Sequence, residues 1–421
     1  MRRSILCSCI LVLALPLPRT QAAEVTVRPG QSIAAAIQAA RPGDTVRVER
    51  GDYAEHLVID KPISLRGVQR PRLSGGGRGN VIRVKAPDVL IEGFIVHDSG
   101  ADLGAQDAGI YVEPGADRIA VRDNHLVYNL FGVWIYKARD AEIRGNVIAG
   151  KRDLPSAQRG NAIQLYDTAG ARIVDNHISF ARDGIYVDLS HQAVFRGNRI
   201  HHVRYGVHYM NSYDNLWEGN ESYLNRGGIA LMQVRKLVVR ANKAWGNSDH
   251  GIMLRSIQDS VIEGNTVAGN GRGFFIYDAE YNALNDNLVI GNRVGVHLWA
   301  GSINNTVERN DFIHNREQIR YVASRDEPWG IREGNYWSNY AGLDSDGDGV
   351  GDAPYEANDV MDRLTWQHPL LKLLLGSPAV HTLHLIAMQF PLLRAPSVVD
   401  RHPRMHPYTD AWSDWLDKQR H

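Results

Sequence analysis

Cysteine is almost absent from this 421-residue chain: there are two, Cys7 and Cys9, both within the first ten residues. Around them, Arg2 and Arg3 precede an apolar run from Ile5 to Pro16, and small residues follow at Ala22 and Ala23. Charged, apolar and small residues in that order make a secretory signal, and the apolar part is too short to cross a bilayer. The cysteines lie too far from the cleavage region to serve as a lipid-anchor site. Residues 1–23 are therefore read as a signal peptide. The exported chain is expected to be cysteine-free, which excludes disulfides as its framework and thiolates as metal ligands.

An excess of charge of one sign is missing as well. Basic and acidic side chains number 47 each, and the leader takes Arg2, Arg3 and Arg19 but no acid. No polyanion-binding surface is implied, so nucleic acid is not expected as a partner. Neither a nucleophile–base motif nor a phosphate-binding loop is present. The chain is read as a non-enzyme whose partner would supply any ATP hydrolysis.

What the sequence has in abundance is asparagine at a fixed period. Asn124, Asn146, Asn176, Asn198, Asn220, Asn242, Asn265, Asn287 and Asn310 follow one another at gaps of 22 or 23 residues, with a single gap of 30. The outlier is an eight-residue insertion placed at Lys151–Gly160. Asn225, Asn247, Asn270, Asn292 and Asn315 form a second series. Segments such as Gly184–Asp188, Gly206–Met210 and Gly251–Arg255 alternate apolar and other residues with period two, which excludes helical repeats. The expectation is a right-handed parallel β-helix, each coil stacked on the last at about 4.8 Å. Asparagine is expected to recur because it tolerates a left-handed backbone and its amide bonds to the amides above and below. Ser32–Ala40 reads as a short amphipathic helix capped by Ser32, covering the open edge of the first coil. The expected organisation is a signal peptide at 1–23, an N-terminal cap at 24–50 and a β-helix at 51–322. A C-terminal extension, partly helical, would follow at 323–421.

Stacking the coils on their glycines orders the strands into columns. Ile110, Val133, Ile163, Ile185, Val207, Ile229, Ile252, Phe274 and Val296 form one core column. Val112, Ile135, Leu165, Val187, Tyr209, Leu231, Leu254, Ile276 and Leu298 form the other. The residues between them must point out. One outward column runs Tyr111, Trp134, Gln164, Tyr186, His208, Ala230, Met253, Phe275, His297. Its neighbour runs Glu113, Tyr136, Tyr166, Asp188, Met210, Met232, Arg255, Tyr277, Trp299. So many aromatics mark a covered or binding surface.

Within this face His208, Met210, Met232 and Met253 fall on three successive coils. Vertical neighbours are about 4.8 Å apart and residues i and i+2 roughly 6.6 Å apart. Thioethers and one imidazole without hard oxygen suit Cu(I) better than magnesium, calcium or zinc. Plain gap-filling by methionine is the alternative. His250, just before Gly251, is not expected to reach the rim of this group, and His297, four coils from His208, reads as ordinary surface.

The tail holds Asp344-Ser-Asp346-Gly-Asp348-Gly-Val-Gly-Asp352, which resembles the first half of a calcium loop. Tyr355 stands where a bidentate glutamate would complete an EF-hand, so a hydrogen-bonded turn is the alternative. His368–Leu392 is apolar but broken by Pro369, Pro378 and Pro391, too interrupted to span a membrane and expected to pack as helices.

The exported β-helix, the Tyr205–Met210 coil and the tail segments Gly334–Trp337, Asp346–Asp352, Asp362–Leu364, Ser377–Val380, Gln389–Pro391 and Asp400–Pro403 together resemble the NosD family. The resemblance covers essentially the whole exported chain. It implies a periplasmic accessory protein for maturation of nitrous oxide reductase, held at the inner membrane through an ABC-transporter membrane subunit and its ATPase. It also implies that copper arrives from a lipoprotein chaperone and goes to the copper–sulfide centre of the reductase. Carried onto this chain, copper falls on His208, Met210, Met232 and Met253.

Two other functions fit parts of the pattern. A polysaccharide lyase or uronan epimerase would use Trp134, Tyr136, Tyr186 and Trp299 to stack sugars, with Asp188, His208, Arg255 and Lys137 for chemistry. A scaffold would dock a partner without metal.

Overall fold

The structure, a computed structural model, describes residues 22–299, 301–322, 325–357 and 397–413, together with Leu370, Ser377, Pro378, Thr382 and Trp415. The leader and nearly all of His368–Leu392, with the helices expected there, lie outside the described residues.

Asparagine is what ties one coil to the next. At the turn between two consecutive strands of each coil, the Nδ2 of each ladder asparagine donates to the Oδ1 of the next at 2.9–3.2 Å, from Asn124 to Asn335 without a break. The backbone N–H of each donates to the same oxygen. These amides are buried, and every coil adds its bonds inside a low-dielectric stack where unpaired ones would be costly. One expectation is corrected here. The left-handed residue is the one before each ladder asparagine: Asp123, Gly145, Asp175, Gly197, Gly219, Ala241, Gly264, Asp286 and Arg309 all have positive φ. The asparagine itself is in the ladder for its amide.

Around this ladder the chain winds into three parallel sheets of 13, 12 and 13 strands. The first sheet begins at Glu24–Val27, which pairs with Thr45–Val48, so residues 24–50 carry both the cap and the first strands. The second sheet runs from Leu57–Ile59 to Glu317–Val322, and the third from Asp52–Ala54 to Tyr336–Trp337. Both predicted core columns are buried and lie in the predicted register. The fold is the all-β parallel β-helix that the period required.

Each end of the stack is closed. The helix Ile33–Ala39 buries Ile33 and Ile37, with Ser32 Oγ accepting from Ala35 N–H. The Glu55 carboxylate takes the N–H groups of Ile33 and Ala34. At the far end a small sheet of Glu327–Trp329, Val398–Asp400 and Tyr355–Glu356 covers the last coils. Phe312, Trp337 and Tyr355 stack there with ring centroids 4.2 Å apart. Trp412 and Trp415 pack on the third sheet beside Trp245. Among the described residues no helix is long and apolar enough to cross a membrane.

Candidate metal centre

The second sheet carries the predicted His/Met group, in the predicted register. His208 pairs with Ala230 and Ala230 with Met253; beside them Met210 pairs with Met232 and Met232 with Arg255. All four side chains are partly exposed, on the outer surface of the sheet. The middle coil, which carries Met232, opens on Gly227-Gly228-Ile229-Ala230, whose outward residue Ala230 is small. Ala230 is on the outward column yet fully buried. The space beyond its methyl group is therefore enclosed by larger side chains from the coils on either side.

His208 is held from behind. Its Nδ1 lies 2.9 Å from Oδ2 of Asp183, a residue only 1 % exposed. Arg204 clamps the same carboxylate, Nε to Oδ1 at 2.8 Å and Nη2 to Oδ2 at 2.6 Å. An imidazole that donates from Nδ1 to this carboxylate keeps Nε2 for an ion. Burial pushes the Asp183 carboxyl up, but the hydrogen bonds from His208 and Arg204 outweigh it and hold the group below the usual carboxylate range. Tyr186 and Tyr205 meet the imidazole edge-on at 4.8 and 5.4 Å. The Tyr186 hydroxyl reaches to 3.8 Å from Met210 Sδ. An imidazole oriented in this way beside three thioethers is a soft donor set, suited to a monovalent d10 ion that must later be given up.

Sequence reasoning missed Asp183 and Arg204, and it undervalued His250. His250 is fully buried, in ring contact with Tyr205 at 5.6 Å, and neither ring nitrogen has a hydrogen-bond partner among the described residues. Burial pushes its pKa down, against the opposing pull of Asp249. Asp249 Oδ2 stands 3.6 Å from Nδ1, long for a hydrogen bond. Its carboxyl is held far below the usual range by His250 and then by Arg272.

His297 is not ordinary surface. It is 9 % exposed, its Nε2 accepts from Trp299 Nε1 at 2.6 Å, and burial with nearby arginines pushes its pKa down to about 4. Met253, Arg255, Phe275, Tyr277 and Trp299 line an open cavity of about 300 Å³ next to the His/Met group.

The groups a lyase would need do not converge. Asp188 and Arg255 stand in one column with Met210 and Met232 between them, about 14 Å apart at the strand spacing. Asp188 accepts from Asn211, and Lys137 pairs with Asp167 several coils away.

In the tail, carboxylate oxygens of Asp344, Asp346 and Asp348 lie within 4.8 Å of one another. Asp344 also accepts the N–H groups of Gly347, Asp348 and Gly349. Asp352, the fourth residue of the predicted set, is not part of that group and bonds to Ser345 instead.

Four likenesses to known proteins place the chain. Residues 149–342 match the family model described as "Periplasmic copper-binding protein (NosD)". A protein of Stutzerimonas stutzeri named "Probable ABC transporter binding protein NosD" is 38% identical over 375 residues, 85% of this chain and 86% of that protein. One of the same name from Pseudomonas aeruginosa is 38% identical over 84% of this chain and 86% of its own length. Among solved structures, the A-module of the mannuronan C-5 epimerase AlgE6 of Azotobacter vinelandii superposes with a TM-score of 0.59 at 15% identity. It covers 73% of this chain and 93% of that one. An identity that low establishes the shared β-helix and nothing of the chemistry.

Proposed function

This chain belongs to the NosD family of periplasmic copper-binding proteins, and from that premise we propose that it carries Cu(I) on His208, Met210, Met232 and Met253 as cargo for the copper–sulfide centre of nitrous oxide reductase. The observation that carries the reading is the Asp183–His208 contact, which holds through Nδ1 an imidazole on the same sheet face as the three methionines. Thioethers bind Cu(I) without demanding a rigid geometry, and partial exposure leaves room for an incoming ligand to displace them one at a time. Copper delivery of this kind needs no catalysis by the carrier.

The named relatives support an ABC transporter as the docking partner, with its ATPase on the other side of the membrane. A lipoprotein chaperone as donor and nitrous oxide reductase as acceptor complete the proposed route. Mixing the Cu(I)-loaded protein with copper-free reductase tests it. The reading expects copper to move to the reductase, and retention on wild-type protein in the presence of the transporter partner contradicts it.

For the tail, the convergence of Asp344, Asp346 and Asp348 favours calcium as a structural ion. A rise in melting temperature on adding calcium, absent in Asp346→Asn, tests that assignment.

A further inference from the structure

Three arginines separated by 22 residues, Arg182, Arg204 and Arg226, occupy the same position on three successive coils. The main chain joins them there, with Arg204 N–H donating to Arg182 O at 2.7 Å and Gly227 N–H to Arg204 O at 2.8 Å. Like charges stacked at about 4.8 Å repel one another unless a counter-charge is shared between them. Asp183 supplies one to Arg204. Arg182 and Arg226 have no acidic partner among the described residues.

The eight-residue insertion forms the opposite wall. Its turn at Ser156–Gln158 is anchored by Arg159, which donates to the carbonyls of Leu154, Arg152 and Phe180. Those carbonyls hold the loop without neutralising the guanidinium. Between the wall and the arginine column lies a cleft of about 460 Å³ lined by Ser156, Arg159, Arg182, His202, Arg204 and Arg226, with no carboxylate in its lining. Four arginines lining one cavity, three of them without an acidic partner among the described residues, against a chain that is otherwise balanced in charge, mark a site suited to negative charge.

We propose that this arginine cleft binds a phosphate-class oxyanion, either free or carried on a lipid headgroup. The planar forks of Arg182 and Arg226 match two oxygens of a tetrahedral anion, and the Ser156 hydroxyl and His202 ring supply further donors. The anion replaces the missing counter-charge and relieves the stacked repulsion. Arg204 belongs to both structures: it lines the cleft, and its guanidinium clamps the Asp183 carboxylate that holds His208. The inference stands on the cleft alone and does not depend on the copper reading.

The test uses the full exported chain at low ionic strength. Inorganic phosphate and pyrophosphate are titrated by calorimetry, and vesicles of phosphatidylglycerol are compared with phosphatidylcholine by flotation. Saturable binding is expected for at least one phosphate-class ligand, and R182Q/R226Q is expected to weaken it by about tenfold or more, the worth of one charge-assisted hydrogen bond. R240Q, on another sheet and paired with Glu218, is expected to leave it unchanged. Binding of the free anions alone identifies a soluble ligand; binding of phosphatidylglycerol alone identifies a headgroup. With fewer stacked charges, R182Q/R226Q is expected to fold, and its melting temperature should not respond to phosphate while that of the wild type rises. No saturable binding of either kind, or equal losses in R182Q/R226Q and R240Q, overturns the proposal.

Discussion

Nδ1 of His208 and Oδ2 of Asp183, 25 residues apart in sequence, lie 2.9 Å apart across one coil boundary. That contact decides which nitrogen of the imidazole is available to an ion. Replacing Asp183 by Asn keeps the shape but removes the charge that fixes the tautomer and balances Arg204. Cu(I) affinity is expected to fall about 10- to 100-fold, the usual effect of losing a carboxylate behind a metal-binding histidine, as read by competition with a chelator. Because the folded Asp183 carboxyl titrates below its unfolded value, its stabilisation is in place above the unfolded value and is lost only as pH falls through the folded one. Copper binding at neutral pH should therefore not depend on its protonation. Unchanged affinity in Asp183→Asn means that His208 does not bind through Nε2.

The small residue between His208 and Met253 makes a second prediction. Ala230→Leu places a branched side chain in the space those two ligands share. Overpacking of this kind costs about 1–3 kcal/mol of stability, which a β-helix of this size is expected to withstand. Cu(I) affinity should drop sharply while the far-ultraviolet circular dichroism spectrum is retained. Full copper binding by a folded Ala230→Leu protein moves the ion away from this notch.

The period-two alternation that made the Met210 and Met232 column legible in the sequence also hid Asp183. At Gly184 and Gly206 an added Cβ would meet Ile200 and Ser222 from the third sheet, so glycine and the residue after it both face inward. The residue before each glycine therefore lies on the outer side together with the one two after it. Asp183, Tyr205 and His250 join the site through this break in the alternation, which no two-residue pattern predicts. The asparagine series was legible because a solenoid repeats the same hydrogen bond at a constant interval. The left-handed position beside it was not, because aspartate, glycine, alanine and arginine all occupy it. The three arginines at 22-residue spacing were open to the same periodic reading as the asparagines.

Asp400 ends the asparagine ladder, and nothing periodic announces it. Its Oδ2 accepts from Asn335 N–H, Asn335 Nδ2 and Trp337 Nε1 at 2.8–2.9 Å, all buried. Asp400→Ala leaves three donors without a partner, at a cost of about 3 kcal/mol or more. Chemical denaturation should show that loss, together with earlier proteolysis after Trp329. A denaturation midpoint equal to that of the wild type contradicts the capping role.

Glu327, in the strand that closes the same end, has its carboxyl pushed up to about 7 by burial. A raised carboxylate stabilises fully below its unfolded value and loses that contribution as pH rises through the folded one. Glu327→Gln should therefore add roughly 2–3 kcal/mol at pH about 8 and little at pH about 4.5. Melting temperatures of the two proteins across that range check it, and parallel curves contradict it.

The central claim concerns four side chains and one ion, and competitive titration of Cu(I) into wild-type protein and Met210→Ala/Met232→Ala tests it most directly. Wild type should take up one ion against the chelator and the double variant should release it, since both soft donors of one column, half of the four, are gone. Equal uptake by the two folded proteins would place copper elsewhere and leave the methionine column as packing.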